Sequence, residues 1–184
     1  GTQAVTGFPF VHAQETPVLR IAGTGVNQFK QLADKAKEDL GFDIQYTSLT
    51  SDDVVKRAVT QPTSFDLLDS EYWMLKKIVP SGNLRGMDTT KIKYYDKIVP
   101  IFTKGELPDG TKVAREGISP IKVSYLKDEV SKEFADGPTQ WMTLIPTVYN
   151  ADTLGIRPDL IKRPINTWAE LLNSEFKGKA SILN

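Results

Sequence analysis

Between Val18 and Val79, short apolar runs alternate with stretches of helical apolar spacing, and this alternation restricts the fold more than any other feature. Residues 18–22 (VLRIA) form a compact apolar run ending at Gly23-Thr24-Gly25. Leu32, Ala33, Ala36 and Leu40 then follow Phe29 at 3, 4, 7 and 11 residues, which is one face of a helix. Gly41 stands where a helix commonly ends on a left-handed residue. Beyond it Phe42, Ile44 and Tyr46 alternate with Asp43, Gln45 and Thr47, the period of a strand. Thr50 and Asp53 predict a capped start to a second helix carrying Val54, Val55, Ala58 and Val59 on one side, closed by Pro62. Residues 65–69 (FDLLD) read as a third strand. Residues 72–79 read as a third helix, with Trp73, Met74, Leu75, Ile78 and Val79 forming its apolar face and Tyr72 turned away from it. A βαβαβα order implies parallel strands joined by right-handed crossovers. The predicted fold class is α/β with an open, mostly parallel sheet.

The pattern weakens from residue 84 to 135, and this stretch is expected to decorate the sheet. Residues 141–149 (WMTLIPTVY) are apolar and β-branched enough for a strand, and Pro146 assigns them to an edge, a bend or a crossing between domains. Thr167 and Glu170 have the spacing of a capping box ahead of Trp168, Leu171 and Leu172, and residues 179–183 (KASIL) read as a further strand. Residues 1–17 show neither period. Val11 and Ala13 have the spacing of a secretory cleavage site after Ala13, so this segment reads either as the remnant of an export signal or as a disordered tail. His12 falls within it and is given no functional role. The expected organisation is therefore a tail over 1–17, a first α/β lobe over 18–140, a hinge or crossing strand over 141–149, and the start of a second lobe over 150–184.

Composition narrows the chemistry. The chain's 23 Lys and Arg balance 23 Asp and Glu, which removes a bulk electrostatic case for nucleic acid or an anionic membrane. It has no Cys and one His, so disulfides, thiolate zinc sites and thiol nucleophiles are excluded and a His-based cluster has no material. No apolar run reaches the roughly 18 residues that a membrane-spanning helix needs. Neither a G-x-S-x-G elbow, a Walker lysine motif nor H-E-x-x-H is present. No catalytic residue, metal ligand or cofactor is assigned.

In open parallel sheets ligands bind beyond the carboxyl ends of the strands. Three loops qualify, at 23–27, 48–52 and 69–72. The first offers Thr24, Gly25 and Asn27; the third offers Asp69, Ser70, Glu71 and Tyr72, carboxylates for a cation and an aromatic face for stacking. Each has a structural alternative, since Gly25 could serve only the turn, while Thr24, Asn27 and Ser70 could serve only as helix caps. Trp141 could be a core residue or a ligand contact. The enzyme alternative is a nucleotide- or cofactor-binding α/β domain, because Gly23-Thr24-Gly25 follows a strand and opens toward a helix. It departs from the dinucleotide fingerprint in two ways: Gln28 stands at the third glycine, and Asp43 begins the second strand instead of ending it.

The order of motifs resembles the extracellular solute-binding proteins of ABC transporters, in the group that includes the spermidine/putrescine-binding proteins. The pieces that carry the resemblance are VLRIAGTGVNQF, FDLLDSEYWMLKKIVPSGNLRGMDTTKI, YYDKIVPIF, TLIPTVYNADTLG and INTWAELLNSEFKGKASIL, spanning most of residues 18–184. The resemblance implies a periplasmic, exported protein with two α/β lobes, a small solute clamped between them by hinge closure, and delivery to a membrane permease. It implies a monomer when complete, no covalent chemistry, and a natural polypeptide that continues beyond Asn184. Ser70 and Tyr72 fall on family positions that face the solute, and Trp141 or Met142 lies near an aromatic ligand position. The first loop departs from the family, since Gly23-Thr24-Gly25-Val26-Asn27 replaces the aromatic and acidic cluster of polyamine binders. The expected ligand is a polyamine-like or other small polar or charged solute.

Overall fold

The apolar run after Pro17 is extended because it lies between two partners. In the computed structural model, which describes residues 16–113, 119–150 and 153–182, β1 (Val18–Gly23) is the central strand of a parallel sheet ordered β2-β1-β3. Its neighbours are β2 (Asp43–Ser48) and β3 (Leu67–Asp69), paired so that Val18 faces Asp43 and Ile21 faces Leu67. Between β1 and β2 runs α1 (Lys30–Leu40), ended as expected by Gly41 in the left-handed region (φ 75°), whose N–H donates to the Lys37 carbonyl. Its apolar stripe is present but uncovered: Phe29 and Leu32 are each 53% exposed and Leu40 67%. α2 (Ser51–Thr60) begins as the Thr50/Asp53 spacing predicts. Thr50 Oγ1 accepts from the Asp53 N–H at 3.3 Å while its hydroxyl donates to the Asp53 carboxylate at 2.8 Å. At the other end of α2, Asn83 Nδ2 donates to the Ala58 and Val59 carbonyls, groups a helix end otherwise leaves unpaired.

The amino ends of β1 and β3 are tied by Arg20. Its guanidinium donates to both oxygens of Asp66 at 3.1 and 2.8 Å, and the Arg20 main-chain N–H donates to the same carboxylate at 2.8 Å. These hydrogen bonds, from the guanidinium first, hold the Asp66 carboxyl at about 2, below its ordinary 3.8. A group whose pKa is depressed by folding stabilises the fold above its unfolded value and stops doing so as pH falls through the folded one. The pair's contribution is therefore complete above about pH 4 and lost toward pH 2. Asp66→Asn is expected to flatten this part of the stability profile in urea titrations between pH 5 and 2, and an unchanged profile would refute the role.

Residues 72–81 are the spine of the core. They form a 3-10 turn (Tyr72–Met74), α3 (Leu75–Ile78) and a second 3-10 turn (Val79–Ser81) ended by Gly82 at φ 77°. Met74 and Ile78 pack with Ala22, Val54, Ala58 and Phe65 between sheet and helices. Leu75 and Val79 pack with Val123 and Leu126 on the other side. The expected assignment of the two aromatics is reversed: Trp73 is 38% exposed, whereas Tyr72 packs against both clusters that lie toward residues 121–142. Tyr72 stands three and seven residues before Leu75 and Val79, whereas Trp73 stands three and four before Lys76 and Lys77. Helical phase thus carries Tyr72 inward and Trp73 out.

The stretch expected to decorate the sheet instead supplies core. Ile121, Val123, Ser124, Tyr125 and Leu126 are buried, and they approach through a 3-10 turn (Pro120–Lys122) and isolated bridges, not through a regular element. β4 (Met87–Asp88) pairs antiparallel with β5 (Trp141–Met142), and α4 (Pro100–Thr103) adds Phe102 to the cluster around Tyr125. β5 is shorter than the sequence suggests: after Thr143, whose N–H donates to the Ser124 carbonyl, the described chain through residue 150 has no strand.

The chain divides into two units, Gly1–Thr147 and Val148–Asn184. In the second unit the Thr167 side chain accepts from the Ala169 N–H, as a cap does, but the predicted box with Glu170 does not close. Glu170 is taken by Arg163, whose guanidinium donates to both its oxygens at 2.9 and 2.8 Å and also reaches Glu175 at 2.9 Å. The expected strand at residue 179 is not formed among the described residues, and Trp168–Leu172 is a 3-10 helix. Val11, His12 and Ala13 lie outside the described residues.

Candidate functional site

The three parallel strands end side by side, with Gly23 of β1 opposite both Ser48 of β2 and Asp69 of β3. Their carboxyl ends thus bring the first and third candidate loops together, with the last residue of β2 on the other side of β1. Gly25 turns the first loop at φ 92°, and a Cβ there would come within 3.0 Å of Ser48 Oγ. That turn aims Asn27 across the end of the sheet, where its Nδ2 donates to Asp69 Oδ1 at 3.0 Å and to Thr147 Oγ1 at 2.9 Å. Gln28 Nε2 caps the strand ends from the side, donating to the Thr47 carbonyl at 3.1 Å and more weakly to that of Gly23 at 3.5 Å. Asp69 Oδ2 is buried and has no hydrogen-bond partner. Tyr46 lies close enough that burial, and after it the charge of Asp69, raises its phenol above the ordinary value.

Among the sequence candidates, the structure thus brings Gly25, Asn27 and Asp69 together. Thr24 and Ser70 are half-buried in the same two loops. The capping alternatives do not describe these residues. The residue preceding α1 is Phe29, the one preceding the Tyr72 turn is Glu71, and neither helix start has a side-chain cap. Glu71 is exposed and accepts from the Trp73 indole N–H at 2.7 Å, with Lys77 Nζ 5.7 Å from the centre of that ring. Tyr72 stacks on Phe102 with ring centres 5.2 Å apart. Its hydroxyl is buried beside Ser124, whose own Oγ–H is committed to the Pro120 carbonyl, and it makes no well-formed hydrogen bond. Burial pushes that phenol up to about 12. Trp141 is half-buried in β5 and packs with the Leu75, Val79 and Leu126 cluster.

Two residues absent from the sequence candidates belong to this site. Ser48 lies in the second qualifying loop but carries no distinguishing signal there. Thr147 is 120 residues from Asn27, so only the fold relates them. The arrangement offers a carboxylate oxygen, two hydroxyls and an amide at the mouth of a parallel sheet, groups suited to hydrogen bonding a small polar molecule. Among the described residues no three His, Asp or Glu side chains are grouped to hold a metal ion, and no helix is long and apolar enough to cross a membrane. No protein-family model matches the chain, and no curated protein matches it.

Proposed function

We propose that the chain is the solute-capturing part of an exported binding protein of an ABC importer. In this reading it holds a small polar or charged solute against the carboxyl ends of β1, β2 and β3 and presents it to a membrane permease after hinge closure. The observation that carries the reading is the Asn27, Asp69 and Thr147 cluster, polar side chains from three separated segments meeting where open parallel sheets take their ligands. The order of motifs along the chain supports it. In this reading Ser70 and Trp141 line the solute as well, while Tyr72, stacked on Phe102, supports the loop that carries Ser70.

A thermal screen of the full chain tests the proposal, using polyamines, amino-acid derivatives, organic acids, phosphorylated compounds, and nicotinamide and flavin nucleotides. A solute present at about 100 times its Kd stabilises by about 2.7 kcal/mol, which is a rise of roughly 5–10 °C in Tm for a chain of this size. Asn27→Ala is expected to remove most of that rise. Binding of the nucleotides alone would instead favour a cofactor-dependent enzyme, and no response across the panel would sink the proposal.

A further inference from the structure

We infer that Asp136 is a site of spontaneous covalent change, at which the Asp136-Gly137 linkage isomerises to isoaspartate and loosens β5. The inference stands apart from the solute reading. The chain contains two Asp-Gly pairs, Asp109-Gly110 and Asp136-Gly137, and such pairs are open to this reaction because glycine puts no Cβ in the path of ring closure. The reaction needs no co-reactant but water. The Gly137 main-chain nitrogen attacks the carboxyl carbon of the protonated Asp136 side chain; a C–N bond forms as a C–O bond breaks, and the amide proton leaves with the hydroxyl as water. One water then opens the cyclic imide. Cleavage of the new C–N bond restores aspartate, whereas cleavage of the original main-chain bond leaves the backbone running through the side-chain methylene. Mass, charge and oxidation state are unchanged.

The fold treats the two pairs differently. At the first, the Gly110 N–H donates to the Leu107 carbonyl at 2.9 Å, and the Asp109 carboxylate accepts from the Thr111 N–H at 2.9 Å. Attacking nitrogen and carboxyl are both held, in a turn whose flanks Glu106 and Lys112 are bridged and ion-paired. The Thr111 N–H also keeps the Asp109 carboxyl below its ordinary value, and so in the ionised form that does not close. At the second pair, Asp136 is exposed and makes no hydrogen bond or ion pair among the described residues; Lys127 lies within electrostatic reach but is paired with Glu133. The Gly137 N–H likewise has no partner among the described residues, and a Cβ at Gly137 would meet nothing within 4 Å. Ring closure at Asp136 therefore breaks no hydrogen bond, but its product strains several. Residues 136–138 link two anchored points. The Ala135 N–H donates to the Tyr125 carbonyl at 2.9 Å, while the Thr139 hydroxyl donates to the Leu126 carbonyl at 2.7 Å and accepts from the Trp141 N–H at 3.0 Å. The Leu126 N–H in turn donates to the Trp141 carbonyl at 2.9 Å. An extra main-chain atom between these anchors slackens the link that holds Trp141 in β5.

The test ages the full chain for several weeks at neutral pH and body temperature, once folded and once in concentrated urea. Peptide mapping with isoaspartyl methyltransferase labelling then measures isoaspartate at each pair. In the folded chain Asp136 is expected to convert at least about tenfold faster than Asp109, the factor set by the two hydrogen bonds that closure at Asp109 must break. In urea, where neither pair is held, the two rates should be similar. Gly137→Ala is expected to slow conversion at Asp136 severalfold and to leave Asp109 unchanged. Hydrogen exchange of aged against fresh protein should be faster at the Leu126 and Trp141 amides. Equal rates at the two pairs in the folded chain, or conversion of Asp136 only in urea, overturns the site. Unchanged exchange at Leu126 and Trp141 once Asp136 has converted overturns the loosening of β5.

Discussion

Gly23→Ala is expected to lower the unfolding free energy by about 3 kcal/mol, in the upper range for an overpacked site, and to abolish the solute response. The reason lies in the sheet and not in conformational freedom, because the backbone at Gly23 is ordinary strand. Gly23 faces Asp69 across the β1–β3 pair. An alanine Cβ at 23 would overlap the Asp69 carbonyl oxygen and stand 2.5 Å from the Asp69 Cβ. These are atoms of the neighbouring strand and its first side-chain carbon, so no flexible tip can move aside. The end of β3 must shift outward, and with it the carboxylate that Asn27 holds at 3.0 Å. Urea denaturation measures the first effect and a thermal shift with any bound solute the second. Gly137→Ala is the control, since a Cβ there meets nothing within 4 Å, and it should change stability by less than about 0.5 kcal/mol. A Gly23 variant as stable as the Gly137 variant would show that the two strands do not close as tightly as described.

The same glycine shows what could be read from the sequence. Its place after an apolar run predicted a strand end, and the order of strands and helices up to residue 81 predicted an α/β sheet, because both signals are local. Gly41 and the Thr50/Asp53 cap were legible for the same reason: each is satisfied by atoms within four residues. Features decided by distant partners were not. Glu170 has the right spacing for a cap but lies within reach of Arg163, and a guanidinium fork outcompetes a single main-chain N–H. Tyr125 and Leu126 are fully buried in a segment without period, since bridges and 3-10 turns deliver them. In the site, Asn27 and Asp69 could be nominated from the loops they occupy. That one amide would join Asp69 to Thr147 could not, because nothing near Thr147 in the sequence marks it.

Met74→Ala and Leu75→Ala are each expected to cost about 2–5 kcal/mol, the range for emptying a buried Met or Leu site, and to do so in different parts of the fold. These neighbours are 0% and 1% exposed, yet they face different clusters. Met74 fills the space between Ala22 of β1, Val54 and Ala58 of α2, and Phe65. Leu75 meets Val123 and Leu126, brought in by the long excursion between β4 and β5. Adjacent helical positions diverge by about 100°, so one short spine serves both clusters. Hydrogen exchange separates the two variants. Met74→Ala should release β1 and α2 amides first, and Leu75→Ala those of residues 123–126. Both clusters also bear on function, because the spine starts three residues after Asp69 and its first turn positions Tyr72. Loosening the Met74 side should weaken solute binding more, since that cluster contains Ala22, the residue before Gly23 in the strand that aligns Asp69. If Met74→Ala instead behaved like an exposed substitution, within about 0.5 kcal/mol of the parent, the sheet and α2 could not be packed through this residue, and the placement of Asp69 would need another support.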